Sequence, residues 1–216
     1  MDKTRRNLWL RGIAGCALIA SAACADAAEG GVAVNSHALS EEAYAAAQAW
    51  AELRDASGRY IGRASFANDG DATLVTVSAQ LSADQAGIHG MHVHANDVAD
   101  NGTGCIADPN AAASTHFASA DGHYNPHGEG HGHHSGDMPA VFVSASGEAF
   151  MQFRTDHFGP DELRGRALIL HAGADNYGNV PVGDADDQYS PNTDAATQLT
   201  TKTGNAGARL ACGVIE

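Results

Sequence analysis

Leu74-Val75-Thr76-Val77-Ser78-Ala79-Gln80-Leu81 decides the fold class, because from Val75 onward apolar and polar side chains alternate with a period of two. On a strand, that period puts Val75, Val77, Ala79 and Leu81 on one face and Thr76, Ser78 and Gln80 on the other. The same pattern recurs downstream, where Ala149, Met151 and Phe153 share a face. Residues 60–66, 141–143, 168–170 and 210–215 are further short candidate strands, separated by Gly, Asp and Asn. With 25 glycines in 216 residues, turns are favoured over long helices. The expectation is an all-β domain from about residue 49 to 216, an antiparallel β-sandwich or barrel without internal repeats.

Two long stretches, 95–136 and 172–207, carry no periodicity. Loops of that length in a compact domain are functional or disordered. The first holds six of the 12 histidines and the second begins directly after His171, which favours function. Residues 28–48 read as an N-terminal extension, with a short helix expected over 40–47 and Ser40 as its cap.

The first 27 residues read as an export signal. Lys3, Arg5, Arg6 and Arg11 form a basic region, an apolar stretch over 13–23 follows, and small residues around Cys24 and Asp26 supply Ala-x-Ala cleavage sites. The apolar stretch is too short for a stable membrane span. Residues 1–27 carry a net +2, so removing them takes the chain from −14 to −16. That charge excludes nucleic acid and anionic membrane surfaces as partners, since both need a basic face. Cleavage removes Cys16 and Cys24 and leaves Cys105 and Cys212, a pair able to form one disulfide in an oxidising compartment. The alternative is a retained and lipidated Cys24. Either way the protein is expected to be periplasmic or otherwise exported.

The chemistry lies in the histidines. In His89-Gly90-Met91-His92-Val93-His94, a strand projects His92 and His94 from the same side, with Cα atoms roughly 7 Å apart. Two imidazoles can converge on one ion from there, while Met91 and Val93 face the core. Eight, eleven and fourteen residues after His123 come His131, His134 and Asp137. Three histidines and a carboxylate make a complete tetrahedral zinc set, and glycines at 128, 130, 132 and 136 let the loop wrap an ion. Taken alone, this loop reads equally well as a low-complexity His/Gly tract that binds metal loosely. His171 separates the two readings, because it ends the apolar run Leu168-Ile169-Leu170 and a strand would deliver it to the sheet edge. Four nitrogen ligands suit copper.

Three segments together resemble the copper/zinc superoxide dismutase family: Gly87-Ile88-His89-Gly90-Met91-His92-Val93-His94, Gly122-His123-Tyr124-Asn125-Pro126, and Arg209-Leu210-Ala211-Cys212-Gly213-Val214-Ile215. They occur in family order over residues 49–216. The resemblance implies a Greek-key, immunoglobulin-like β-sandwich or barrel with two long functional loops. It implies copper on His92, His94, His123 and His171, and zinc on His123, His131, His134 and Asp137, with His123 as the bridge. It implies that Asp175 links a copper histidine to a zinc histidine, that His89 ties loops together, and that Cys105 and Cys212 pair. Arg209 would be the cation beside copper that receives the anionic substrate. The implied reaction turns two superoxide ions into dioxygen and hydrogen peroxide, with His123 taking and returning a proton.

Departures from the shorter family members are an insertion between Cys105 and His123 that includes 111–116, a compressed His/Gly-rich stretch over 126–137, and a long loop from His171 to Arg209. All the implied ligands are present. His37, His116, His127, His133 and His157 have no family counterpart; His127 and His133 sit in the zinc loop as alternative ligands or aids to metal capture. The second functional reading is an exported copper/zinc-binding or delivery protein without dismutase activity, which would need neither Arg209 nor Asp175. The assembly is read as a monomer or homodimer.

Overall fold

Nine strands carry the fold: β1 (Ala49–Asp55), β2 (Tyr60–Asp69), β3 (Ala72–Gln80), β4 (Gly87–His89), β5 (Met91–His94), β6 (Val141–Val143), β7 (Glu148–Thr155), β8 (Ala167–His171) and β9 (Arg209–Val214). Among the described residues two α-helices accompany them, α1 (Ser36–Ala45) and α2 (Asp194–Thr203). This computed structural model describes residues 36–178 and 194–216; the export segment, Cys16 and Cys24 lie outside the described residues.

Every pairing is antiparallel, and the strands follow the order β4-β6-β7-β3-β2-β1-β9-β8-β5. The two edge strands, β4 and β5, are consecutive in the chain and separated only by Gly90. The sheet therefore curls until its edges meet, giving a nearly closed barrel. Closure leaves little free edge for another chain to pair with. The chain crosses the barrel between β3 and β4, β5 and β6, and β7 and β8, as a Greek key does.

The alternating face of β3 points inward as its sequence demands. Val75 pairs with Phe66 and Phe153, and Val77 with Ala64 and Met151, on the two flanking strands. Val75, Val77, Phe66 and Ala64 are fully buried, and Phe66 meets Phe158 edge-on at 6.1 Å. All six expected strand segments are strands. His171 is the last residue of β8, but β8 lies between β9 and β5, so the histidine reaches the site from a strand end rather than from an edge strand.

Two expectations need correction. The N-terminal helix spans Ser36–Ala45, so Ser40 is interior and not the cap. Ala38 and Leu39 are good helix formers that carry the helix back before Ser40, and the chain turns at Ala46 and Ala47 into β1. Tyr44 packs against Trp50 at 5.5 Å, and Arg63 of β2 lies over the Tyr44 ring and pairs with Glu41, so the helix is fastened to the barrel wall. The segment 172–207 is not wholly irregular either, since it contains α2, whose Thr200 is buried.

A smaller apolar cluster of Phe117, Ala120, Ala167, Ile169 and Cys212 lies under the 105–121 loop. The Cys105–Cys212 disulfide fastens that loop to β9, with Cα atoms 5.5 Å apart. It closes a sequence separation of 107 residues. Constraining so long a loop in the unfolded chain contributes about 3–5 kcal/mol. The Cys105→Ser/Cys212→Ser double variant should lose about that much in urea unfolding; an unchanged midpoint would show that the bridge does not stabilise the barrel.

Candidate metal centre

β5 organises the site. Its Met91 and Val93 side chains enter the apolar core, and His92 and His94, both fully buried, project from the opposite face. The Val93 backbone then pins both ends of the 124–136 loop. Its N–H donates to Gly136 O and its carbonyl accepts from Tyr124 N, each at 2.8 Å. Gly136 N also donates to Tyr124 O at 2.8 Å, closing the loop on itself. A Cβ on Gly136 would run into the Val93 carbonyl, so only glycine fits. This clamp places His123 opposite His94 and Asp137 opposite His92.

Each histidine of the first cluster has one ring nitrogen anchored. His94 Nδ1 donates to Asp121 O at 2.8 Å, His171 Nδ1 to Gly207 O at 3.1 Å, and His92 Nε2 to Asp175 Oδ2 at 2.6 Å. Such anchors select the tautomer and leave the other nitrogen for an ion. His94 Nε2 and His171 Nε2 stand 3.3 Å apart, and His92 Nδ1 is buried with no partner. One ligand atom from each of His92, His94, His123 and His171 lies within 4.8 Å of the others, all four residues being buried.

The second cluster is centred on Asp137. Its Oδ1 lies 2.8 Å from His123 Nδ1, 3.3 Å from His131 Nδ1 and 3.4 Å from His134 Nδ1. Its Oδ2 accepts from Gly132 N and His134 N at 2.7 and 3.1 Å, which holds the carboxylate in place. By distance alone His92 also groups with His123, His131 and Asp137. The only free nitrogen of His92 completes the first cluster, however, and His134 Nδ1 stands 3.3 Å from His123 Nδ1, so His134 is the better fourth member.

His92 Nδ1, His123 Nε2 and His131 Nδ1 are buried with no hydrogen bond, although His131 Nδ1 stands 3.3 Å from Asp137 Oδ1. An unsatisfied buried nitrogen costs about 1–3 kcal/mol, and three in one place are what a pair of metal sites leaves when only protein atoms are considered. The donor chemistry fits both ions: four imidazole nitrogens for copper, and three imidazoles with one carboxylate for zinc.

The electrostatics agree. Burial, followed by the neighbouring histidines, holds His171 at about 3 and His94 well below the usual histidine range. Burial also takes His123 down to about 4, against the pull of Asp137. These rings are neutral, as ligation requires. Burial would lower His131 too, but Asp137 and Asp175 outweigh it and raise the ring to about 9. Burial pushes the two carboxylates up, yet their histidine partners hold both below the ordinary carboxylate range.

Asp175 joins the clusters, with Oδ2 on His92 and Oδ1 on His131 Nε2 at 2.7 Å. Gly204, at φ +60, follows α2 directly above it, where a Cβ would strike Asp175 Oδ1 and His131 Nε2. His89 lies 2.8 Å through Nδ1 from His171 O and 2.7 Å through Nε2 from Gln85 O, spanning two segments. Arg209 pairs with His171 in the β8–β9 ladder, and its guanidinium donates to Phe117 O and Asp121 O.

The remaining histidines do not join either cluster among the described residues. His127 and His133 are exposed, His157 contacts Asp137 O at 3.3 Å, and His116 lies on the inserted loop. Asp121 and Gly207 were invisible in the sequence because they act through backbone carbonyls, which every residue has. Asp175→Asn should weaken zinc affinity about 10–100-fold in a chelator competition, since it breaks the link that orients His131; wild-type affinity would remove Asp175 from that role.

The sequence profile of copper/zinc superoxide dismutase matches residues 60–215. An extracellular copper/zinc superoxide dismutase of Brugia pahangi is 33% identical over 178 residues, covering 78% of this chain and 75% of that one. A superoxide dismutase of Mycobacterium bovis is 36% identical over 155 residues, covering 69% of this chain and 61% of the relative's own length. The solved copper/zinc superoxide dismutase of Brucella abortus is covered completely, spans 78% of this chain and superposes with a TM-score of 0.54 at 23% identity, a likeness of fold. On the profile match and these relatives, the chain belongs to the copper/zinc superoxide dismutase family.

Proposed function

We propose that His92, His94, His123 and His171 hold the copper of this superoxide dismutase, and that His123, His131, His134 and Asp137 hold its zinc. One observation carries the assignment. His123 turns Nδ1 to the Asp137 cluster and keeps Nε2 buried and unpartnered for the other, so a single ring serves both sets.

The enzyme converts two superoxide ions and two protons into dioxygen and hydrogen peroxide. Bound copper supplies the one-electron redox couple. The protein's own residues do the rest. His123 holds and releases a proton at Nε2. His131, His134 and Asp137 keep its other nitrogen in place. Asp175 sets the rings of His92 and His131 together. Arg209 receives the anion beside His171. The substrate is negative and residues 28–216 carry −16, yet at about 0.15 M ionic strength distant charges are screened beyond roughly 8 Å. A local cation therefore decides the encounter, and this family is itself a standard case of such steering. A metal-delivery protein is not favoured, because it would need neither the anchored Arg209 nor the Asp175 link.

We read residues 1–27 as an export signal, 28–48 as an extension and 49–216 as the catalytic domain. The disulfide and the extracellular relative support an exported, periplasmic protein, whether freed by cleavage or anchored through Cys24. No described helix is long and apolar enough to cross a membrane. The cross-strand pair Ile88 and Phe142 is 49% and 60% exposed, an apolar face that a homodimer would cover. Sedimentation equilibrium separates dimer from monomer, and a Phe142→Lys variant that stays dimeric would exclude this face.

Protein loaded with both metals should contain one copper and one zinc per chain and suppress superoxide-driven cytochrome reduction. Metal uptake without superoxide removal would overturn the enzyme reading. Arg209→Ala should slow turnover at least about tenfold with metal content unchanged, because the local field at the site is lost. Equal activity would remove Arg209 from that role.

A further inference from the structure

Asp121 has a backbone that its side chain should disfavour. It sits at φ +63 and ψ −156, a region populated almost only by glycine. Such a conformation persists in another residue only where its surroundings enforce it. Here the surroundings are explicit. Asp121 Oδ2 accepts from Asp97 N and Val98 N, both at 2.8 Å, and Oδ1 accepts from Asn101 Nδ2 at 2.7 Å. The residue is buried, and its neighbours Ala120 and Gly122 accept from Asn96 N and Ala95 N at 3.1 and 2.8 Å, so the backbone is gripped on both sides.

The grip has a product. The Asp121 carbonyl accepts from His94 Nδ1 at 2.8 Å and also from the Arg209 guanidinium. One oxygen therefore sets the tautomer of a copper histidine and the position of the cation that receives substrate. We propose that Asp121 is a positioning residue of the copper centre: its carboxylate, tethered to the 97–101 turn, forces a glycine-like backbone that aims one carbonyl at both His94 and Arg209. Its negative charge has a second consequence. Burial lowers the basicity of the Arg209 guanidinium and the Asp121 carboxylate opposes that, while the same negative charge moderates the positive field that an approaching anion meets.

The proposal rests on His94 as a copper ligand and Arg209 as the receiving cation. Metal content and activity of the wild-type protein test that reading first, and the variants are then compared with it. Asp121→Ala removes the tether while keeping a Cβ on a strained backbone. Its copper EPR signal should shift and its kcat/KM should fall about ten- to hundredfold, as expected for a small displacement of a reacting group. Asp121→Gly removes the strain as well as the tether. It should melt higher than Asp121→Ala yet keep the altered EPR signal. Asp121→Asn keeps one acceptor oxygen for the Asp97 and Val98 amides, and its NH2 can donate to Asn101 once that side-chain amide turns over. It should restore the wild-type signal, and its kcat/KM should be higher than wild type at low salt and fall more steeply as salt is added. Wild-type EPR and kcat/KM in both Asp121→Ala and Asp121→Gly, whatever their melting temperatures, would overturn the proposal. An Asp121→Asn signal as altered as that of Asp121→Ala would also overturn it, because the tether would then not be what matters.

Discussion

The backbone of Val93 is the constraint on which the rest of the site depends. Val93 sits inside a four-residue strand, with its side chain in the apolar core and its N–H and C=O bonded to the two ends of the 124–136 loop. Burial of Met91 and Val93 sets the rotation of β5, and that rotation turns His92 and His94 toward the clusters. The backbone hydrogen bonds to Tyr124 and Gly136 then bring His123 and Asp137 alongside. Hydrophobic packing and metal geometry are thus set by alternate residues of one strand. Because Gly136 has no room for a Cβ, the clamp tolerates little variation.

Around that clamp, the protein spends backbone carbonyls and one carboxylate on orienting rings. Asp121 O, Gly207 O and Asp175 each take one nitrogen of a histidine and leave the other free. Burial lowers the basicity of His94, His123 and His171, so the free nitrogens are neutral donors without help from an ion. His131 differs, since Asp137 and Asp175 outweigh burial and raise its basicity. The cost of burying so many polar groups is offset by the barrel and by the disulfide that fastens the 105–121 loop to β9.

Much of this was legible in the residue order. Strict alternation in β3 and β7 marked inward faces because a strand's side-chain period admits only one such reading. His92 and His94 were placed together for the same reason. The N-terminal helix and α2 were harder. Helix ends are set by local hydrogen bonds that differ little in energy, and α2 is tied down by Asn176 donating to Thr200 Oγ1 and His131 N donating to Thr201 O rather than by a clear apolar stripe. His127 and His133 share a His/Gly-rich loop with His131 and His134, and nothing in their spacing tells which of the four enter the buried clusters. Their exposure does.

By itself, then, the order of residues determined an antiparallel β-domain, a histidine pair on one strand, and the candidate metal donors, because side-chain periodicity and ligand chemistry are local properties. Tertiary structure alone decided that β4 and β5 are the two edges of one sheet joined through Gly90, that His123 presents a different nitrogen to each cluster, and that Asp121 holds His94 and Arg209 with a single carbonyl. Those are relations between segments far apart in the chain, carried by backbone groups that every residue shares, and only folding assigns such groups their partners.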